Sequence, residues 1–212
     1  MEFHPDERYI QQHPVAWDAI VFIVNKSNPV DNITIKQVRD IYEGRITNWK
    51  QLGGKNARIK LYARKSAISG VGLKLRELVF YDSDKEFFGG THYVKSSGPA
   101  EKAVVKSATA FTATGISSAK RRDVKILKVA GKAPTYENIK SGDYILYRPI
   151  YLVTKMQEKN RLVLDFLDYV QSHKGRSIIR KAGTVPFLDA LHLLGKQYRQ
   201  NLNAYRASLK KP

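Results

Sequence analysis

The run Ala19-Ile20-Val21-Phe22-Ile23-Val24 constrains this chain most. It sits inside a segment, Val15 to Asn25, that reads as a strand. Continuous apolar character predicts cover on both faces, as in the interior of an α/β sheet. The same run is the longest apolar stretch, and it is far short of the ~18 residues that a membrane-spanning helix needs. The chain must therefore build a core around this strand.

The next strong signal lies at residues 59–80. Ile59 to Ala63 is an apolar strand, and Val71, Leu75, Leu78 and Val79 recur at helical spacing. Between them stand Arg64, Lys65, Ser66, Ser69, Gly70 and Gly72. A strand entering a helix through such a turn leaves unpaired N–H groups and partial positive charge at the helix start. That suits an anion, with Arg64 supplying a planar fork. The residues alone also admit a plain strand–helix turn, with Ser69 as a cap and Arg64 solvated. A similar choice holds at Ser96-Ser97-Gly98-Pro99. Gly98 reads as N-cap and Pro99 as the first helical residue, and the two serines are either capping groups or further anion contacts.

Elsewhere the order of elements is simple. Residues 1–14 read as loop, with Pro5 and Pro14 as breakers. Thr34 and Gln37 form a capping box for a helix that turns Ile35, Val38, Ile41 and Tyr42 inward and ends at Gly44. Trp49 anchors a compact loop. Ala110–Ile116 and Val124–Val129 are strand-like, Thr135 opens a short helix, and Ile145–Thr154 is an apolar strand interrupted at Arg148-Pro149. Helices are predicted near 157–172 and over Arg176–Ala182. A long basic helix follows Pro186, with a stripe at Leu191, Leu194, Tyr198, Leu202, Tyr205 and Leu209. The expected partner of that stripe is the protein's own body; a partner helix or a membrane surface is the alternative. Alternation of strands and helices predicts an α/β fold with largely parallel sheets.

Composition narrows the function. Thirty-seven Lys and Arg oppose 19 Asp and Glu, a net charge of +18, which favours anionic partners. No zinc-finger, helix-turn-helix or aromatic–basic RNA-binding pattern accompanies that charge, so nucleic acid is supported by charge alone. There is no cysteine, and the five histidines lack metal-ligand spacing. No nucleophile elbow or Walker loop is present. His13 and Asp18 form the sole candidate dyad, and an Asp at a strand edge more often has a structural role. The expectation is a binding protein, not an enzyme, with no cofactor or metal.

Several blocks follow one another in order: Trp17-Asp18-Ala19-Ile20-Val21, Asn28-Pro29-Val30, Ile41-Tyr42-Glu43-Gly44-Arg45-Ile46-Thr47-Asn48-Trp49, Leu52-Gly53-Gly54 and Ala182-Gly183-Thr184-Val185-Pro186. Over residues 13–187 the chain resembles the phosphate-binding proteins of bacterial phosphate ABC transporters, type II periplasmic solute-binding proteins. The resemblance implies a two-lobed α/β clamp with a hinge of two crossover strands, Ala19–Asn25 and Ile145–Thr154. Residues 26–145 would form the second lobe. Residues 1–25 and 146–212 would form an incomplete first lobe carrying an added C-terminal helix. It further implies capture of an inorganic oxyanion, phosphate first among them, for ABC-type import. The compartment would be the periplasm or another extracytoplasmic space, although the polar start, Met1 to Arg8, does not read as a signal peptide.

In that family an Arg, three residues and Ser-Gly-Thr bind the anion. Arg64, Ser69 and Gly70 match, Lys65 is the substitute at the Arg position, and Val71 replaces the Thr hydroxyl, a donor worth about 0.5–1.5 kcal/mol. Ser96 and Ser97 are additional candidate contacts. The first lobe's Ser-rich half-site does not precede Trp17, so the expectation is a fragment or a protein without that half, with an exposed sheet edge and a tendency to associate. Expected partners are the oxyanion, an ABC transporter membrane component, and a second copy meeting through the sheet edge or C-terminal helix. A sensor or assembly component acting through that helix, or a nucleic-acid binder, is the alternative.

Overall fold

The computed structural model describes residues 9–65 and 70–208. Its organising element is β1 (Ile10–Val24), a strand of 15 residues that serves two sheet regions. Its second half, Ile20–Val24, runs between β5 (Ala110–Gly115) and β6 (Lys125–Ile126), antiparallel to both. Its first half pairs with β8 (Tyr147–Lys155) along Ile10–Ala19, and with β9 (Val185–Pro186) at Ala16 and Trp17. Residues 10–14, expected as loop, are thus strand. A bulge between Pro14 and Ala16 bends β1 near this start.

Beyond β5 the sheet continues with β3 (Lys60–Arg64) and β4 (His92–Val94), parallel to one another and to β5. The largely parallel sheet predicted from sequence is therefore mixed. Among the described residues only β3, β4 and β5, and the separate β2–β7 pair (Asn32–Ile33 with Lys128–Val129), are parallel. Every pairing of β1 is antiparallel, with β5, β6, β8 and β9 alike. The apolar run still behaves as expected: Ala19 to Val24 is wholly buried.

Helix α1 (Ile35–Tyr42) starts on the capping box of Thr34 and Gln37, and Gly44 takes the left-handed conformation just past its end, at φ +75°. A 3-10 turn at Trp49–Leu52 ends on left-handed Gly53. Trp49 packs edge-on to Phe111 and donates its indole N–H to the Thr109 carbonyl at 3.0 Å. Helix α2 (Gly70–Leu75) passes directly into a π-helical turn, Arg76–Phe80. Helix α3 (Ser97–Lys106) is capped by Ser96, not Gly98, so Pro99 stands at the third helical position. Proline is tolerated throughout a first turn, whose N–H groups have no intrahelical acceptor, so its presence does not locate the cap. Helices α4 (Ile116–Ala119) and α5 (Tyr136–Ser141) follow, the latter capped by Thr135 and closed by left-handed Gly142.

Strand β8 passes through Arg148-Pro149 without interruption. It pairs only with β1, and an edge strand can turn the missing proline N–H toward its open side. Around β1 and β8, Trp17 stacks on Phe187 at 5.1 Å and meets Tyr147 edge-on at 5.8 Å. Helix α6 (Arg161–Gln171) begins on Asn160 and α7 (His173–Lys181) on Ser172, each a side-chain cap. Asp189, in the 3-10 turn Phe187–Ala190, accepts from Tyr136 at 2.8 Å and from Arg180 Nε at 2.9 Å, joining α5, α7 and this turn.

The last helix, α8 (Leu193–Ser208), corrects one further expectation. Leu191, Leu194, Tyr198 and Tyr205 of the predicted stripe are exposed, and Leu202 is half-buried. Leu209 lies outside the described residues. The buried apolar residue is Leu193, assisted by the stems of Lys196 and Gln200, so the helix docks on its other side.

Candidate anion-binding cleft

Parallel β3, β4 and β5 end on one side of the sheet, and each leads toward a helix: α2 from β3, α3 from β4, α4 from β5. In open α/β sheets ligands bind beyond such carboxyl ends, where helix N–H groups converge. Arg64, the last residue of β3, is in register with Val94, the last of β4. The starts of α2 and α3 are thus neighbours along this edge.

Gly70 opens α2 and is exposed, Lys65 is exposed, and Arg64 is half-buried. Arg64 has no ion-pair partner among the described residues. Ser69 lies outside the described residues. Val71 packs against the core instead of facing the turn. Ser96 is the N-cap residue of α3 but makes no side-chain capping bond, and Ser97 is that helix's first residue. Of the sequence-derived set, Arg64, Lys65 and Gly70 lie where β3 leads into α2, and Ser96 and Ser97 where β4 leads into α3.

The opposite wall comes from β1 and β8. Asp18 and Arg148 face each other across this antiparallel pair. Arg148 Nε and Nη2 both donate to Asp18 Oδ2, at 3.1 and 2.9 Å. The third guanidinium nitrogen, Nη1, reaches across to α2: a Cβ placed on Gly70 would lie 3.0 Å from it. Asp18 is almost completely buried, and the Arg148 side chain is largely so. A Cβ on Gly115, at the end of β5, would come within 2.8 Å of Asp18 Oδ2. Glycine at 115 is what allows the carboxylate to sit against the sheet. Asp18 Oδ1 is buried without a hydrogen-bond partner.

Burial pushes the Asp18 carboxyl above its ordinary value, and the charge and hydrogen bonds of Arg148, with the backbone N–H groups of Ala19 and Ile116 nearby, only partly offset that. The carboxylate consequently acts as a holder of Arg148: it grips two nitrogens and aims the third at the helix entry. Behind the cleft, Glu101 of α3 is fully buried. It accepts from Thr114 at 2.5 Å and Arg122 at 2.9 Å, fixing α3 against β5. Burial alone would raise its pKa, but hydrogen bonds from Ser118, Thr114 and Arg122 and the Arg122 charge hold it below the usual range.

Sequence reasoning did not find Arg148 as a cleft residue, and it paired Asp18 with His13. The structure separates those two. His13 Nε2 bonds Thr154 Oγ1 at 3.0 Å, and His13 lies opposite Leu152 while Asp18 lies opposite Arg148, roughly 13 Å along the strand. A signal was present in the sequence. An Asp within a two-sided apolar strand needs a buried cation, and Arg148 is the only cation inside the second apolar strand, Ile145–Thr154.

No three His, Asp or Glu residues gather to hold a metal ion among the described residues. No helix among them is long and apolar enough to cross a membrane.

A family model described as a PBP superfamily domain matches residues 3–174. The phosphate-binding protein PstS of Borreliella burgdorferi is 29% identical over 175 residues, covering 79% of this chain and 63% of that protein. PstS of Bacillus subtilis is 28% identical over 185 residues, covering 87% and 60%. The chain thus spans about three fifths of the length of these curated relatives. Among solved structures, a Clostridium perfringens chain described as a phosphate ABC transporter substrate-binding protein with bound phosphate superposes with a TM-score of 0.79. It is 29% identical, covering 87% of this chain and 76% of that one. An ABC-type phosphate transport receptor from Vibrio cholerae gives a TM-score of 0.66 at 26% identity, with the same coverage.

Proposed function

The chain belongs to the PBP superfamily, and on that premise we propose that it captures an inorganic oxyanion, phosphate, in the cleft between the helix entries and the β1–β8 pair. The observation that carries this reading is Arg148: held on two nitrogens by buried Asp18, it aims the third at the first residue of α2. A planar donor facing the positive end of a helix that runs on into the π turn has an anion as its natural complement. The mechanism is capture without bond chemistry. Arg148 and Arg64 pair the anion's charge, the Gly70 N–H donates, and Ser69, Ser96 and Ser97 supply further donors. Residues 26–145 act as one lobe, and 1–25 with 146–212 as the other. The crossovers at β1 and β8 serve as the hinge whose closure excludes water. A net charge of +18 speeds the encounter. The relatives named above support phosphate as cargo, an ABC-type importer as the recipient, and a compartment outside the cytoplasm as the place of action.

Titration calorimetry with phosphate, sulfate and a short oligonucleotide tests this. Phosphate should bind, and both Arg64→Ala and Arg148→Lys should weaken it at least about tenfold, since Lys keeps the Asp18 pairing but loses the fork. Undiminished affinity in both variants rejects the site. Salt-sensitive oligonucleotide binding without any phosphate response rejects the function.

A further inference from the structure

Trp17 and Asp18 are consecutive on β1 and therefore point to opposite faces of the strand. Asp18 faces the cleft through Arg148. Trp17 faces away from it, stacked at 5.1 Å on Phe187, which opens the 3-10 turn Phe187–Ala190. That turn and what packs on it lie behind the β1–β8 hinge, on the side away from the anion.

Several contacts join the two lobes there. Tyr136 Oη donates to Asp189 Oδ2 at 2.8 Å, and Arg180 steadies that carboxylate through Nε and Nη2 at 2.9 and 2.5 Å. Leu193 is fully buried, and a Cβ on left-handed Gly142 would come within 2.9 Å of it. Lys196 Nζ donates to the Ser141 carbonyl at 2.6 Å, and Gln200 Nε2 donates to the Ile145 carbonyl at 3.1 Å. Tyr136, Ser141, Gly142 and Ile145 fall in the 26–145 lobe. Asp189, Leu193, Lys196 and Gln200 fall in the other. A clamp that closes at its front opens at its back, so closure must stretch or part these bonds.

We propose, on the two-lobed clamp reading above, that Tyr136, Asp189, Lys196 and Gln200 are positioning residues. They hold the clamp open from behind the hinge and thereby set its affinity for the anion. None of them belongs to the cleft set of Asp18, Arg64, Gly70 and Arg148. They act through the fraction of molecules that is closed, because affinity falls in proportion to that fraction.

The experiment is titration calorimetry of the full chain with inorganic phosphate, beside thermal unfolding, for Tyr136→Phe, Gln200→Leu and the two combined. Neither substitution changes charge. Among the described residues Gln200 Oε1 is buried without a partner, so leucine suits that position. Each variant removes one bond from the open clamp. Phosphate should bind each single variant more tightly than wild type, and the combined variant at least about threefold more tightly. The thermal transition should stay level or fall. A purely structural role gives the opposite sign, a lower transition with equal or weaker binding, and that result overturns the proposal. The single variants decide the matter if the combined one does not fold. Phosphate binding by wild type with no gain in any variant rejects the back-of-hinge role and leaves anion capture standing. No phosphate binding by wild type rejects anion capture, and this role with it.

Discussion

Replacing Arg148 with Met tests the central ion pair through stability alone. The substitution keeps a long apolar stem but leaves Asp18, whose side chain is 2% exposed, with no cation. The attraction surrendered is about 4 kcal/mol for charges 4 Å apart at an effective dielectric constant of 20. Breaking one side of a buried pair typically costs about 3–5 kcal/mol. We therefore expect Arg148→Met to lower unfolding free energy by about 3–4 kcal/mol at neutral pH. The carboxyl can escape this cost by protonation, so the loss must depend on pH. The folded-state pKa of Asp18 already lies above its ordinary 3.8. A raised carboxyl pKa means the folded state holds the proton more tightly, so this group's contribution is present at low pH and is lost as pH rises through the folded value. Removing Arg148 raises that value further and widens the window, within which stability should fall by up to about 1.4 kcal/mol per pH unit. Urea denaturation of Arg148→Met and of Asp18→Asn/Arg148→Met from mildly acid to neutral pH measures both effects. The double variant should recover most of the loss and show the flatter profile. A loss that is the same at every pH, or that Asp18→Asn does not relieve, refutes the idea that an uncompensated carboxylate is the cause.

Three further outcomes follow from the same geometry. Gly115→Ala places a methyl group 2.8 Å from Asp18 Oδ2, and should cost about 1–3 kcal/mol in denaturant unfolding while weakening phosphate binding by calorimetry. Glu101→Gln removes a carboxylate whose folded pKa is depressed, so its stabilisation exists above the ordinary carboxylate range and fades as pH falls through the folded value; the variant should lose stability at neutral pH and converge on wild type in acid melts. Thr34→Ala deletes the capping box of α1 and should lower unfolding free energy by about 0.5–2 kcal/mol, with no change in anion affinity.

What the sequence made legible was local. The capping box of Thr34 and Gln37, the terminator Gly44 and the buried run of β1 each rest on residues a few positions apart, where side-chain chemistry and backbone demand are coupled directly. Strand direction was not legible: a buried strand shows the same apolar run whether its neighbours are parallel or antiparallel. The α8 stripe was correctly periodic but assigned to the wrong side, because one leucine and two polar stems suffice to dock the helix. At the cleft, Arg64 and the helix entry at Gly70 announce themselves within one turn. Asp18 and Arg148 are 130 residues apart, and only the pairing of β1 with β8 brings them face to face.

That same strand sets the order in which the protein can fold. β1 precedes all of its partners in the chain, β5, β8 and β9 come much later, and Trp17 donates to the Phe187 carbonyl 170 residues away. At roughly 5–20 residues per second, a translating chain carries the apolar run for roughly 10–30 s before that contact can form. Closing so long a loop before any long-range contact rewards it slows folding. Nascent chains should therefore depend on a holding chaperone until β8 and β9 emerge, and refolding from denaturant should be slow, limited by the docking of β8 and β9 onto an exposed β1.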